Sequence, residues 1–189
     1  LEDKEVSIAR ARRTLTFPSN FMLVCSMNPC PCGYASDAKQ QCRCTPTQVK
    51  RYISKISGPL LDRIDIHVEV PSVASRELTQ GAAGECSAQI RQRVNAARKL
   101  QRGRLQAERI LCNALMKSKQ IKKHCPLAAE GHALLKEAHD RFGMSARGHD
   151  KILKVARTIA DLDRSDQIHT HHLAEAIQYR QTLVHNPRD

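Results

Sequence analysis

The chain has 189 residues, with 31 Lys plus Arg against 19 Asp plus Glu, a formal net charge of +12, 41% hydrophobic residues and only 3% aromatic ones. That length suits one domain or a piece of a larger one, and no apolar run approaches the ~18–20 residues of a membrane-spanning helix, which excludes a transmembrane protein. The eight cysteines stand in a long Lys- and Arg-rich sequence without a signal peptide, so a reducing, cytoplasmic setting is expected rather than a disulfide scaffold.

The chain opens at Leu1 on a charged segment with no initiator Met, and is expected to be the C-terminal fragment of a longer protein. Residues 1–84 carry eleven basic and eight acidic side chains, residues 85–189 twenty and eleven. Val6-Ser-Ile8-Ala-Arg10 and Thr14-Leu-Thr-Phe17, joined by Ala11, Arg12 and Arg13, predict a hairpin with a positively charged tip. Phe21-Met-Leu-Val-Cys25 predicts a buried central strand that ends in the turn-forming Ser26-Met-Asn28-Pro29. Ile64-Asp-Ile66-His-Val68-Glu-Val70 alternates strictly before Pro71 and predicts a strand with one solvent face. His67 falls on the polar face and needs no catalytic role.

Over residues 73–84 Ala, Ser, Gly and Thr accumulate, with Gly81 and Gly84 bracketing two alanines, a linker composition. Beyond it, Ala, Leu, Lys, Arg, Gln and Glu at helical spacing predict four or five helices separated by Pro126, by Phe142-Gly143 and by Asp163-Arg-Ser165. Ser145 is the expected N-cap of a helix over residues 146–162 and Thr170 of one over residues 171–183. The expected architecture is α/β plus all-α: an incomplete sheet with a hairpin over residues 1–72, a linker over 73–84, and a helical bundle over 85–189.

Cys30-Pro-Cys32-Gly33 and Cys42-Arg-Cys44 place four thiols in a fifteen-residue stretch. Four thiolates suffice for a tetrahedral zinc site, here structural rather than catalytic, with four free thiols as the alternative. The loop is too short to have its own core, so a metal would supply folding energy and present Lys39, Arg43, Lys50 and Arg51 to a polyanion. The cysteines at 25, 86, 112 and 125 are expected to be buried or incidental. His169, His171 and His172 read as a helix start without metal, because successive residues splay and no carboxylate or thiol joins them at metal-site spacing.

Between residues 91 and 123 eleven Lys or Arg face one acid, Glu108. Such an excess favours nucleic acid or another polyanion, bound in a salt-sensitive and largely sequence-blind way. With no Trp and few Tyr or Phe, phosphate contacts dominate over base stacking. Candidate DNA contacts are Arg91, Arg93, Arg98, Lys99, Arg102 and Arg104, with Arg10, Arg12 and Arg13 of the hairpin as a second set.

Asn28 stands where the open edge of an α/β sheet presents functional side chains. Its amide can donate to a phosphate oxygen and accept from a water, although Asn before Pro is also a common turn residue. Arg63, in Gly58-Pro-Leu-Leu-Asp62-Arg63, has Asp62 and Asp65 as ordinary partners, and Arg147 has Asp150. The succession of the hairpin, Met27-Asn28-Pro29, Gly58-Pro-Leu-Leu-Asp-Arg-Ile-Asp65, Met144-Ser-Ala-Arg147, Ile152-Leu153-Lys-Val-Ala-Arg157-Thr-Ile-Ala-Asp161-Leu162 and His172-Leu-Ala-Glu-Ala-Ile-Gln-Tyr-Arg180 resembles the magnesium-chelatase-like family of AAA+ ATPases, in its competence-protein subgroup, along the whole chain.

The resemblance implies the last part of an AAA+ P-loop ATPase core followed by a helical lid, in a parent that forms a hexameric ring and uses ATP and Mg. Asn28 then corresponds to the sensor-1 residue, Arg63 to the arginine finger and Arg147 to the sensor-2 arginine. The implied activity is DNA translocation, as a helicase or in branch migration during natural transformation and recombination, with the hairpin arginines turned towards a central pore. No G-x-x-x-x-G-K-[ST] occurs in the chain and no apolar strand ends in Asp-Glu, so this piece alone is expected to be inactive. In the family those elements precede the hairpin. Two other classes stay open: a chelatase subunit that remodels a partner for magnesium insertion into a tetrapyrrole, and a non-enzymatic, zinc-stabilised nucleic-acid-binding module.

Overall fold

The computed structural model describes residues 4–10, 13–37, 39–73 and 84–181. The chain forms two compact units, Leu1–Ile64 and Asp65–Asp189. In the first, β1 (Glu5–Arg10) and β2 (Arg13–Pro18) pair antiparallel, Val6 opposite Phe17, Ile8 opposite Leu15 and Arg10 opposite Arg13. Apolar cross-strand pairs on one face hold such a ribbon, and on the other Ser7 Oγ lies 2.9 Å from Thr16 Oγ1. The predicted hairpin is present, and it sets two like charges opposite each other at its tip.

Two other predicted strands are not formed among the described residues, where β1 and β2 make the only sheet. Residues 21–25 run unpaired, with Met22 86% and Val24 80% exposed. An apolar strand of this kind needs neighbours at both edges and cover on both faces, and the described residues provide neither. Residues 64–70 form no strand ladder among the described residues either, and their burial inverts the alternation: His67 is 7% exposed whereas Ile66, Val68 and Val70 face solvent. From Asp65 onwards the segment belongs to the helical unit, where the His67 N–H donates to the Tyr179 carbonyl at 2.7 Å and Asp65 pairs with Lys151 at 2.8 Å. Those anchors, not a sheet face, decide which side chain is covered.

Past the thiol loop, α1 (Pro46–Ile53) opens on a capping box, Thr45 Oγ1 accepting from the Gln48 N–H at 3.3 Å and Gln48 Oε1 from the Thr45 N–H at 2.9 Å. Pro46 in the first helical turn loses no bond there. The short α2 (Gly58–Leu61) follows and leads to Arg63.

The second unit contains α3 (Ser87–Leu105), the 3-10 turns Gln106–Glu108 and Asn113–Leu115, α4 (Ser118–His124), α5 (Ala129–Phe142), α6 (Ala146–Leu162) and α7 (Thr170–Gln181). Ile152, Leu153, Ala156 and Ala160 recur at helical spacing on α6 and are buried against Leu173, Ala176 and Ile177 of α7, with Leu105, Met116, Ile121 and Leu135 in the same cluster. Fully buried aliphatic residues such as Ile152 and Leu173 each cost about 2–5 kcal/mol when cut to Ala. Gly143, at φ 59, ends α5 in the left-handed conformation that favours glycine. Ser145 caps α6, its Oγ accepting from the Gly148 N–H at 3.0 Å.

The cap of α7 differs from expectation. Its first helical bond runs from the Leu173 N–H to the His169 carbonyl at 3.2 Å, so Thr170 lies inside the helix and His169 occupies the cap position. Most of the predicted linker, and the residues beyond 181, lie outside the described residues. No helix among the described residues is long and apolar enough to cross a membrane.

Candidate functional site

The four loop cysteines come together. Cys30 Sγ lies 3.3 Å from Cys32 Sγ and 3.7 Å from Cys42 Sγ, Cys32 lies 3.6 Å from Cys42, and all four sulfurs including Cys44 fall within 4.8 Å of one another. Around a tetrahedral ion with Zn–S bonds of about 2.3 Å the sulfurs stand about 3.8 Å apart. The local chain builds this cage with two tight turns. The Gly33 N–H bonds the Cys30 carbonyl at 3.0 Å, and Gly33 sits at φ 87, which a side chain would oppose. The intervening loop folds back on Asp37, whose Oδ1 accepts from the backbone of Lys39 at 2.6 Å and Gln40 at 3.0 Å.

Electrostatics at the cage sort the thiols. The Tyr34 and Arg43 backbone N–H groups, followed by the Cys30 thiol, pull Cys32 down to about 6. Desolvation first, then the Cys32 and Cys30 sulfurs, pushes Cys44 up to about 12. One thiolate forms readily at Cys32, while Cys42 and Cys44 are opposed by their neighbours, an arrangement that a divalent cation at the centre reverses. The donor set and spacing therefore fit zinc. Of the remaining cysteines Cys125 is buried, while Cys25 and Cys86 are exposed and Cys112 is half-buried.

Asn28 and Arg63 belong to the first unit and Arg147 to the second. Asn28 is exposed, and its Nδ2 is 3.9 Å from where a Cβ on Gly33 would lie, so the thiol loop borders it. Arg63 is half-buried and its Nη1 donates to the Pro59 carbonyl at 3.0 Å, fastening it to α2. Arg147 is exposed in the first turn of α6, beside the Ser145 cap. An amide and two guanidiniums suit phosphate oxygens, and none of the three offers Mg²⁺ a carboxylate ligand.

The six basic candidates on α3 separate into two sides. At about 100° per residue, Arg91, Arg98 and Arg102 fall within about 40° of one another with Lys99 about 60° further round, whereas Arg93 and Arg104 lie within about 20° on another side. Arg93 reaches Glu85 through two bonds of 2.6 and 3.0 Å. Arg104 is drawn inward, its Nη1 and Nη2 donating to Asp161 at 2.8 and 2.6 Å and Nη2 also to Asn113 Oδ1 at 3.1 Å. Asp161 in addition accepts from Asn113 Nδ2 at 2.8 Å and Arg157 Nε at 3.2 Å, and Arg157 is fastened to the carbonyls of Asp166, at 2.8 Å, and Ser165. Arg104 is thus a structural residue of a buried network. The other four, Arg91, Arg98, Lys99 and Arg102, are exposed and carry no ion pair among the described residues. Glu108, the single acid of this stretch, bonds Lys123 Nζ at 2.6 Å and His124 Nε2 at 3.1 Å, which hold its carboxyl down at about 2. On the hairpin Arg10 and Arg13 are exposed, and Arg12 lies outside the described residues.

At the start of α7 a carboxylate does join the histidines: Asp163 Oδ2 lies 3.1 Å from His172 Nε2 and 3.6 Å from His171 Nε2. The ring chemistry still argues against a metal. His172 Nδ1 accepts from the His169 N–H at 3.0 Å, so the neutral ring keeps its proton on Nε2 and donates it to Asp163. Burial lowers the His172 pKa, which favours that neutral ring. His172 occupies the third helical position and serves as the reciprocal half of a capping box, a role usually filled by Glu or Gln.

The chain matches the family described as "Magnesium chelatase, subunit ChlI C-terminal" over residues 84–180 and that described as "Magnesium chelatase, subunit ChlI" over residues 1–78, and it belongs to the magnesium-chelatase family. It is 42% identical over 181 residues to the competence protein ComM of Haemophilus influenzae, covering 95% of this chain and 34% of that protein. It is 39% identical over 189 residues to YifB of Escherichia coli and 38% identical over 189 residues to YifB of Salmonella typhimurium, covering 98% of this chain and 36% of each. The chain spans about a third of the length of these relatives.

Proposed function

We propose that this chain is the C-terminal part of a hexameric AAA+ ATPase that couples ATP hydrolysis to movement on DNA, as a helicase or in branch migration during natural transformation and recombination. The observation that carries the DNA half of this reading is the division of α3: its acid-paired arginines point one way, and Arg91, Arg98, Lys99 and Arg102 are left to solvent on the other. A row of unpaired cations spanning about 16 Å of helix matches a phosphate backbone, where binding is driven by counterion release. Arg10 and Arg13, facing each other at the hairpin tip, repel at a cost in stability that a polyanion would offset.

In the ATPase half, Arg63 supplies a guanidinium to the γ-phosphate held by a neighbouring subunit and neutralises charge that develops in transfer. Asn28 orients the attacking water by accepting from it and donating to a phosphate oxygen. Arg147, at the start of α6, follows the nucleotide as the helical unit moves. Mg²⁺ supplies further charge neutralisation at the phosphates, through residues outside this chain. Cys30, Cys32, Cys42 and Cys44 hold a structural zinc that fixes the loop beside Asn28, and the piece by itself is inactive because it has no phosphate-binding loop.

The test is steady-state ATP hydrolysis by the full-length parent with and without forked DNA, across a salt series. Stimulation that fades with salt supports the proposal. The family description, which names magnesium chelatase, favours a second reading in which ATP is used to remodel a protein partner; turnover indifferent to DNA would select it. Absence of turnover would leave only a nucleic-acid-binding module.

A further inference from the structure

The end of α3 breaks two local rules at once. The Arg109 N–H bonds the Gln106 carbonyl at 3.1 Å and the Ile110 N–H the Leu105 carbonyl at 3.3 Å, the paired bonds of a Schellman ending. The residue that makes this ending possible is left-handed, at φ 55, and it is Arg109, where glycine is the usual occupant. Six residues earlier Gly103 sits inside the helix, where glycine is less favourable than alanine, although a Cβ there would meet nothing within 4 Å. No packing contact therefore requires glycine at position 103.

Both line one feature, a shallow cleft of about 560 Å³. Three cations, Lys99, Arg102 and Arg109, stand around it, Gln106 adds an amide, and the apolar part is Ile110 with Leu111, the latter 69% exposed. The neighbouring acid, Glu108, is already bonded to Lys123 and His124. Gly103 leaves the cleft open, and Arg109 brings a third guanidinium or ammonium group to a rim that glycine would leave bare.

We infer that this cleft binds one nucleotide of single-stranded nucleic acid, its phosphate between Lys99, Arg102 and Arg109 and its sugar or base face on Leu111 and Ile110. This rests on the DNA reading above and sharpens it. A duplex offers phosphates to the cations but keeps its base faces stacked, so the exposed leucine gains nothing from it; an unpaired nucleotide satisfies both parts of the cleft. Charge complementing the last carbonyls accounts for basic residues near a helix end, and α6 also ends on a left-handed arginine, Arg164 at φ 57; it is the gathering of three cations beside an exposed leucine that singles out the end of α3.

The test uses the chain with a fluorescein-labelled oligothymidylate and a blunt duplex of matched length, titrated by anisotropy over a salt series. Arg109→Gly removes the cation and relieves the backbone, so it should raise or preserve Tm while weakening oligothymidylate binding about fivefold to tenfold and reducing its salt slope by about 0.7. Arg109→Asn, which also tolerates the left-handed conformation, should reproduce the loss. Leu111→Ser should weaken oligothymidylate and leave the duplex unchanged. Arg91→Gln, on α3 away from the cleft, should weaken both. If Arg109→Gly and Arg109→Asn bind oligothymidylate like the unaltered chain while Arg91→Gln loses affinity, the cleft assignment is overturned and the DNA reading survives. Equal loss of both probes in Arg109→Gly with no effect of Leu111→Ser makes the cleft a duplex-backbone contact and overturns the single-strand assignment. No binding of either probe by the unaltered chain at low salt removes the DNA reading and the cleft with it.

Discussion

Arg98 and Arg104 lie on one helix with the same charge, yet the structure gives them different tasks, so replacing each by alanine should separate binding from folding. Arg104 grips both oxygens of Asp161, which is 1% exposed. Breaking a buried ion pair costs about 3–5 kcal/mol. Here the Arg104 side chain is 23% exposed, and Asp161 keeps Arg157 at 3.2 Å and Asn113 at 2.8 Å, which brings the expected loss to about 2–3 kcal/mol. For a unit of this size each kcal/mol displaces Tm by about 3–5 °C, so Arg104→Ala should melt about 10 °C lower when unfolding is followed by far-UV circular dichroism. Arg98→Ala, at an exposed site, should stay within about 0.5 kcal/mol of the parent. In anisotropy titrations with duplex DNA the order reverses: Arg98→Ala should reduce the salt slope by about 0.9 and Arg104→Ala should leave it intact. A slope reduced in Arg104→Ala at unchanged Tm would refute the division of α3 into a binding and a structural side.

The cysteine cage predicts about one zinc per chain in freshly purified, reduced protein, and a thiolate-to-metal charge-transfer band when Co²⁺ replaces it; elemental analysis that finds no metal would end the zinc assignment. In the full-length parent Arg63→Ala should leave nucleotide affinity nearly intact and lower turnover about 10³-fold or more, and an unchanged rate would sink the finger role. The Glu108 carboxyl, held at about 2 by Lys123 and then His124 against an ordinary 4.5, should add stability that is present above pH 4.5 and lost as pH falls through about 2. Denaturant unfolding of the parent and of Glu108→Gln should therefore differ at pH 7 and converge in acid; a gap that does not narrow would exclude Glu108 as its source.

What was legible in the sequence was what is decided locally. Gly143, Ser145 and the Pro126 break mark helix ends through their own backbone preferences, and the hairpin follows from two short alternating runs around a basic turn. The gathering of four thiols was legible because they fall in one loop, though the backbone N–H groups that tune Cys32 were not. Strand formation over residues 21–25 and 64–70 was misjudged because pairing depends on partners remote in sequence, and alternation alone cannot show that His67 is the residue covered. Arg104 was grouped with the DNA contacts because its partner Asp161 is 57 residues away. The cap of α7 was placed one residue late, since a histidine at the third helical position is an unfamiliar substitute for glutamate.

The segment at the start of the helical unit is fastened to two helices of that unit. The Asp65 carboxylate is 2.8 Å from Lys151 on α6, and the His67 N–H is 2.7 Å from the Tyr179 carbonyl on α7. If Arg147 follows nucleotide state as proposed, the helix that carries it also carries Lys151, four residues on and on the same side of α6. A movement of α6 imposed at Arg147 would therefore be felt first at the Lys151–Asp65 pair, inside the helical unit itself.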